Sequence, residues 1–330
     1  MTDSTTPSPR RGVQRRWWLT SLVMVLVVLL AGEAAVRLAS GKLGEPLVWY
    51  SRSAQNKADA LERPGHPRAD VVFVGSSVVM ASLDPSRFTA ADSCRRTSYN
   101  AATAGAVPSV TADWLYRVVI PSVRPKTVVL GIAPRDLSKS SGSADSAYFR
   151  SMAVRDDLGA KVERWFSSWS ALVRYRSMLR SPRILKGRLD ELRGQTKDIW
   201  TFDAHGFAPR TGTDGPNTAV QSNNPGMAID PTQVRALDRL VVRLRRSGIT
   251  PVLAAMGNST TWRSTPRGAQ VAKDEGAALA DIAERRGVQL VDLRSVDDPS
   301  LFLDLVHTNR EGSRKETALL VDQMASGCTG

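Results

Sequence analysis

The chain has 330 residues, 42% of them hydrophobic, which is enough apolar material for one substantial domain with additions and excludes wholesale disorder. Its formal net charge of +13 is spread along the chain apart from an arginine-rich start and a basic middle, with no zinc-finger, basic-zipper or RNA-recognition pattern. A surface facing an anionic envelope or membrane therefore accounts for the charge, and no nucleic-acid partner is expected.

Residues 1–16 are polar and carry Arg10, Arg11, Arg15 and Arg16. They read as a cytoplasmic tail. The next stretch is apolar from Trp17 to Ala31 and helix-compatible through Ala39. Crossing a bilayer takes about 20 residues. Residues 17–39 reach that length with Glu33 and Arg37 at the far interface, where long side chains snorkel. The arginines ahead of it place the N-terminus in the cytoplasm and the remainder outside. A cleaved signal peptide is the rival reading, with "GEAAV" offering small residues to a protease. The charges of Glu33 and Arg37 disturb such a cleavage region and favour a retained single-pass anchor. Either way the bulk of the protein lies outside the cytoplasm. In an oxidising compartment Cys94 and Cys328 can pair; two free buried thiols are the alternative.

Residues 40–68 read as a juxtamembrane linker with a short helix, and residues 69–330 as one domain. "ADVVFVG" is a continuous β-branched run, as a strand buried on both faces of a parallel sheet requires. "TSYNAATAG" is a shorter strand, "TADWLYRVVIPSV" a helix and "KTVVLGIAP" another buried strand. The next helix starts with Asp230 as cap and Pro231 in its first turn, and stops at Gly248. "ITPVLAAMG", "GAQVAKDEGAALADIAERRG", "VQLVDL" and "NREGSRKETALLVDQMA" continue the alternation. This rhythm predicts an α/β fold, an open parallel sheet with helices on both faces. It fails across residues 138–230, a helical, Arg- and Trp-bearing insertion followed by a loop. The insertion is expected to cover one end of the sheet, either shaping a substrate site or serving as a structural flap.

Ligands of open α/β sheets bind beyond the carboxyl ends of the strands. Those ends carry Gly75-Ser76-Ser77, Asn100 through Gly105, Gly131 through Asp136, and Met256-Gly257-Asn258. The loop after the final strand adds Asp304 and His307. Of the three histidines, His66 lies in a Pro-rich stretch and His205 in the insertion, so only His307 sits at the chemically relevant end. A serine hydroxyl is a weak nucleophile until an imidazole takes its proton, and the imidazole needs a carboxylate to hold its tautomer. Ser77, His307 and Asp304 supply those residue types. The bland reading of a serine in such a turn is a helix cap. The chain lacks GxGxxG and GxxxxGK[ST], and its histidines and two distant cysteines make no zinc site, so no cofactor and no metal are expected.

"GSS", "NAATAG", "GIAPRDL" and "DLVHTNREG", each after its strand or before the last helix, resemble the four blocks of the SGNH (GDSL-type) hydrolases, and their membrane-anchored, envelope-facing branch in particular. The resemblance covers residues 69–137 and 250–324. It implies a flavodoxin-like three-layer α/β/α sandwich, Ser77 as nucleophile, His307 as general base and Asp304 as its orienting acid. It also implies Gly105 and the Ser77 N–H as oxyanion donors. Where many relatives offer an asparagine side chain to the oxyanion, this chain has Ala133. Asn100 or Arg135 can substitute, or the hole relies on backbone alone; Ser76 and Arg135 line the site, and Arg135 is expected to ion-pair with Asp136. The implied reaction is acyl-ester chemistry on an acylated envelope polysaccharide or another ester, by hydrolysis or by transfer. Transfer would require an acyl donor from a separate membrane protein. A non-catalytic envelope polymer-binding or assembly protein of the same fold is the alternative.

Overall fold

The computed structural model describes residues 10–43, 52–66, 68–138, 158–180, 185–186, 189, 201–209 and 228–325. They fall into two compact units, Met1–Leu47 with Arg155–Lys197, and Val48–Val154 with Asp198–Gly330. In chain order the principal elements are α1 (Arg10–Leu43), α2 (Arg52–Glu62), β1 (Val71–Val74), α3 (Ser77–Ser82), α4 (Pro85–Ala91), β2 (Ser98–Asn100), α5 (Pro108–Trp114) and β3 (Thr127–Ile132). They continue with α6 (Leu158–Trp169), α7 (Ala171–Arg180), α8 (Pro231–Arg246), β4 (Thr250–Ala255), α9 (Thr260–Arg263), α10 (Pro266–Arg286), β5 (Gln289–Asp292) and α11 (Arg310–Ala325).

The second unit is an α/β sandwich. Among the described residues its five strands are all parallel, in the order β2-β1-β3-β4-β5. The side-chain period of two divides each strand between two cores. Val72, Val74, Val128, Leu130 and Leu253 face a layer built from α2, α5, α8 and α10. Val71, Phe73, Val129, Val252 and Val291 face α3, α4 and α11. Helix boundaries follow the local chemistry read in the sequence. The Asp230 side chain caps α8 by accepting from Thr232 N–H, Pro231 occupies the first turn, and Gly287 closes α10 in the left-handed conformation.

Two departures from the expected organisation concern where helices belong. Helix α2, inside the stretch read as a linker, buries Ala54, Lys57, Ala58 and Leu61 in the sandwich. The insertion divides between the two units. Its helices α6 and α7 group with α1, while residues 201–209 lie against the sandwich, with Asn100 N–H donating to His205 O and Ala208 N–H to Met80 O. Gly206, at φ +78°, permits this contact, since a Cβ there would lie 2.1 Å from Asn100 O. Cys94 is disulfide-bonded, and Cys328, the only other cysteine in the sequence, lies outside the described residues.

Candidate active site

The site begins with a turn that only glycine can make. After β1 the backbone passes through Gly75 at φ +153°, where a Cβ would meet Gly131 O at 2.4 Å and Val79 Cγ2 at 2.5 Å. The chain then enters α3, and the two serines separate by role. Ser76 is the cap: its Oγ accepts from Val78 N–H at 3.3 Å and donates to Asp136 Oδ2 at 3.0 Å. Ser77 stands one residue further on, half-buried, with its Oγ 2.8 Å from His307 Nε2.

His307 is buried and held from behind. Its Nδ1 lies 2.6 Å from Asp304 Oδ2, and Asp304 Oδ1 accepts the backbone N–H groups of His307 at 2.7 Å and Val306 at 2.9 Å. Burial pushes the Asp304 carboxyl up, but the bonds from His307 and Val306, with the His307 charge, outweigh it and bring the pKa down to about 2. An ionised carboxylate only accepts hydrogen bonds. With the ring neutral, the proton between the two sits on Nδ1, and Nε2 is left to accept from Ser77. The arrangement is a serine hydroxyl aimed at a base of fixed tautomer.

Around this line the other expected site residues sort differently. Gly105 is exposed at φ +75°, and its N–H makes no hydrogen bond among the described residues, as an oxyanion donor requires. Asn100 does not supply a donor. Its Nδ2 is committed to Val79 O at 3.0 Å and Leu83 O at 2.8 Å, and its Oδ1 accepts from Ala102 N–H, so it ties the end of α3 to the β2 loop instead. Ala133 is fully buried and its N–H donates to Asp136. The expected Arg135–Asp136 ion pair is replaced by other partners. Asp136 takes the Ser76 hydroxyl and the Ala133 N–H, burial raises its carboxyl to about 6, and Arg135 is exposed.

Buried charged residues that support these loops were not anticipated, Lys57 and Glu316 among them. Lys57 of α2 donates to Asn100 O at 2.8 Å and Ala102 O at 2.6 Å, and its neighbour Ser53 accepts from Ala104 N–H at 3.0 Å. Helix α2 thus holds the loop that presents Gly105. Burial pushes the Lys57 amine well below its usual range, with Asp203 acting against it. The only sequence signal was a lysine on the apolar stripe Ala54, Ala58, Leu61.

Glu316 of α11 lies beneath the histidine loop, its Oε1 accepting from Gly257 N–H at 3.1 Å while its buried Oε2 has no hydrogen-bond partner among the described residues. Nearby, Ser82 Oγ at the end of α3 meets Thr308 Oγ1 at 2.9 Å, which joins the serine helix to the residue after His307. Burial raises the Glu316 pKa to about 8, above the 4.5 of a free glutamate, against the bond from Gly257. The stability Glu316 contributes is thus fully present below pH 4.5 and is lost as pH rises toward about 8, because the unfolded chain ionises first. Glu316→Gln keeps the acceptor and never ionises. The difference in melting temperature, variant minus parent, is expected to grow from about pH 5 to about pH 8, and a flat difference in a thermal-melt series would contradict the assignment.

No protein-family model matches the chain, and no curated protein matches it in sequence. Solved structures resemble it in fold. It is similar to LAE5, an alpha/beta hydrolase enzyme from the metagenome of Lake Arreo, Spain, at 14% identity over 82% of this chain and 99% of that one, with a TM-score of 0.42. It is similar to the acetyl xylan esterase AlAXEase at 12% identity, covering 78% and 98%, with a TM-score of 0.43. The lipase/acylhydrolase from Enterococcus faecalis matches at 12% identity, covering 78% and 95%, with a TM-score of 0.41.

Proposed function

We propose that the chain is an SGNH-type serine esterase or O-acyltransferase, anchored by α1 with its sandwich unit outside the cytoplasm. Its proposed substrates are acyl groups, acetyl foremost, esterified to an envelope glycan. The observation that carries this reading is the unbroken line from Ser77 Oγ through His307 to Asp304 at the carboxyl end of a parallel sheet.

The chemistry follows from that line. Ser77 passes its proton to His307 Nε2 as its oxygen attacks the ester carbonyl, and the developing oxyanion meets the N–H groups of Ser77 and Gly105. The bond to the alcohol breaks, His307 returns the proton to the leaving oxygen, and the acyl group stays on Ser77. Water or a sugar hydroxyl then gives its proton to His307 and takes the acyl group, and as the bond to Ser77 breaks His307 returns that proton to the Ser77 oxygen. Hydrolysis and transfer share every step but the last acceptor; transfer also needs an acyl donor, which a separate membrane protein would deliver. With Ala133 where an amide donor would stand, the hole relies on backbone N–H groups, and a missing donor of this kind lowers the rate about 10²–10³-fold.

Location is supported by three features. One helix, Trp17–Lys42, is long and apolar enough to span a bilayer. Glu33, inside the stretch a signal protease would cut, bonds α7 and so belongs to the folded structure. The disulfide at Cys94 suits an oxidising compartment.

The test is made on the full chain in detergent, incubated with 4-nitrophenyl acetate and quenched for intact-mass and peptide analysis. One acetyl group on the peptide containing Ser77 is expected, discharged faster when an envelope glycan is added if the protein is a transferase. A folded protein that carries no adduct from several acyl esters would overturn the enzymatic reading and leave a polymer-binding protein.

A further inference from the structure

The unit formed by α1, α6 and α7 carries a second apolar surface. Helix α7 packs on the end of α1 through Val36, Tyr175 and Met178. Ser170 caps α7, its Oγ accepting from Val173 N–H at 3.3 Å, and the Glu33 carboxylate adds to that cap by accepting from Ala171 N–H at 2.8 Å, Leu172 N–H at 3.0 Å and the Ser170 hydroxyl at 2.9 Å. Arg37 pairs with Glu33 at 2.6 Å and donates to the carbonyl of Trp169. The junction of α6 and α7 is thereby pinned at the level of residues 33–37 of α1, and the two charges of α1 offset each other there.

Helix α6 ends at that junction. Leu158, Val162, Trp165, Phe166 and Trp169 recur at helical spacing and form one face. That face is uncovered: Leu158 is 78% exposed, Trp165 62% and Trp169 51%, with the three rings clustered at centroid distances of 4.9–5.6 Å. The large apolar residues of α1 from Trp17 to Leu30 are likewise 54–74% exposed. One compact unit thus presents two apolar surfaces that require the same solvent. Depth agrees. Twenty residues separate Trp17 from Arg37, a rise of about 30 Å, which is the thickness of a hydrocarbon core. With Trp17 at one interface, Arg37 and the Trp169 bound to it lie at the other, where tryptophan is favoured.

We infer that α6 is an interfacial helix whose Trp165–Phe166–Trp169 face lies in the headgroup and upper acyl region of the bilayer leaflet that α1 exits, its partner being phospholipid. This rests on the reading of α1 as a retained anchor. The helix would fix the tilt and rotation of the anchor, which a single span leaves free.

The test uses the full chain in phosphatidylglycerol–phosphatidylethanolamine vesicles, carrying a single added cysteine labelled with an environment-sensitive fluorophore. Trp165→Cys probes α6, Val25→Cys probes the anchor, and the exposed Lys273→Cys marks the aqueous phase. The expected result is a blue-shifted label at 165, quenched several-fold by lipids spin-labelled near the headgroup and untouched by aqueous iodide, with 25 quenched by lipids labelled deeper in the chain. A label at 165 that behaves like the one at 273, while 25 remains lipid-quenched, overturns the interfacial helix and leaves the anchor standing. A label at 165 shifted but not lipid-quenched means protein covers α6, which also overturns it. Loss of lipid quenching at 25 removes the anchor reading, and the inference with it.

Discussion

Ser77→Ala is expected to abolish the acetyl adduct and lower ester turnover about 10⁴–10⁶-fold, the range seen when a serine nucleophile is removed from an intact base and carboxylate. The melting temperature should barely move, because the half-buried Ser77 hydroxyl makes one bond, to His307, and caps nothing. The neighbouring serine is the control that gives the experiment its force. Ser76→Ala removes the cap on Val78 N–H and the donor to Asp136 Oδ2. It should cost about 0.5–2 kcal/mol of stability while the adduct still forms. The two alanine variants therefore separate a stability effect from a chemical one. Equal residual turnover in Ser77→Ala and the parent, with both folded, would exclude a Ser77 acyl-enzyme. Loss of the adduct in Ser76→Ala alone would move the nucleophile one residue back.

Much of this site was readable before any coordinates, for a physical reason. A strand buried on both faces must be continuously apolar, and a chain that then turns sharply into a helix needs Gly75 where it stands. Asp304 and His307 are three residues apart and next to a helix capped by Asn309, whose Oδ1 accepts from Glu311 and Gly312 N–H. Such local chemistry writes itself into short strings. The partnerships across the fold do not. Ser77 and His307 are 230 residues apart, and their meeting was inferred from strand ends and a family resemblance. Asn100 was a reasonable oxyanion candidate by position. Its amide was already taken by Val79 O and Leu83 O, and nothing in a local pattern reveals that three backbone groups converge on one side chain. Lys57 was missed because lysine on an apolar stripe ordinarily extends its amine to water. Here two carbonyls of the β2 loop meet it inside the protein, so the stretch between anchor and sandwich became part of the site's support. The division of the insertion between two units was not legible, because sequence adjacency says nothing of which unit a helix joins. The Glu33 contacts that decide it for α7 run between residues 137–139 positions apart.

Asp304→Asn is expected to lower kcat about 10⁴-fold with the fold intact, and the geometry dictates why. The carboxylate has two occupied oxygens. Oδ1 accepts two backbone N–H groups, from Val306 at 2.9 Å and His307 at 2.7 Å, and Oδ2 faces His307 Nδ1 at 2.6 Å. An asparagine has one oxygen for these three donors. Placing it at the Oδ1 position keeps both backbone bonds and turns the amide NH₂ toward Nδ1. The ring must then accept at Nδ1 and carry its proton on Nε2, where it opposes the Ser77 hydroxyl and no base remains. Placing the oxygen toward Nδ1 keeps the correct tautomer but sets NH₂ against two N–H donors, and each buried donor left without a partner costs about 1–3 kcal/mol. The loop therefore selects the inactive tautomer, so the loss falls on kcat while the melting temperature stays near that of the parent. Asp304→Ala supplies the contrast. It removes the loop bonds as well as the orienting group, and should lower stability along with kcat. If Asp304→Asn retained turnover within about tenfold of the parent, the ring would not depend on Asp304 for its tautomer, and the assignment of Asp304 as the orienting acid would fall.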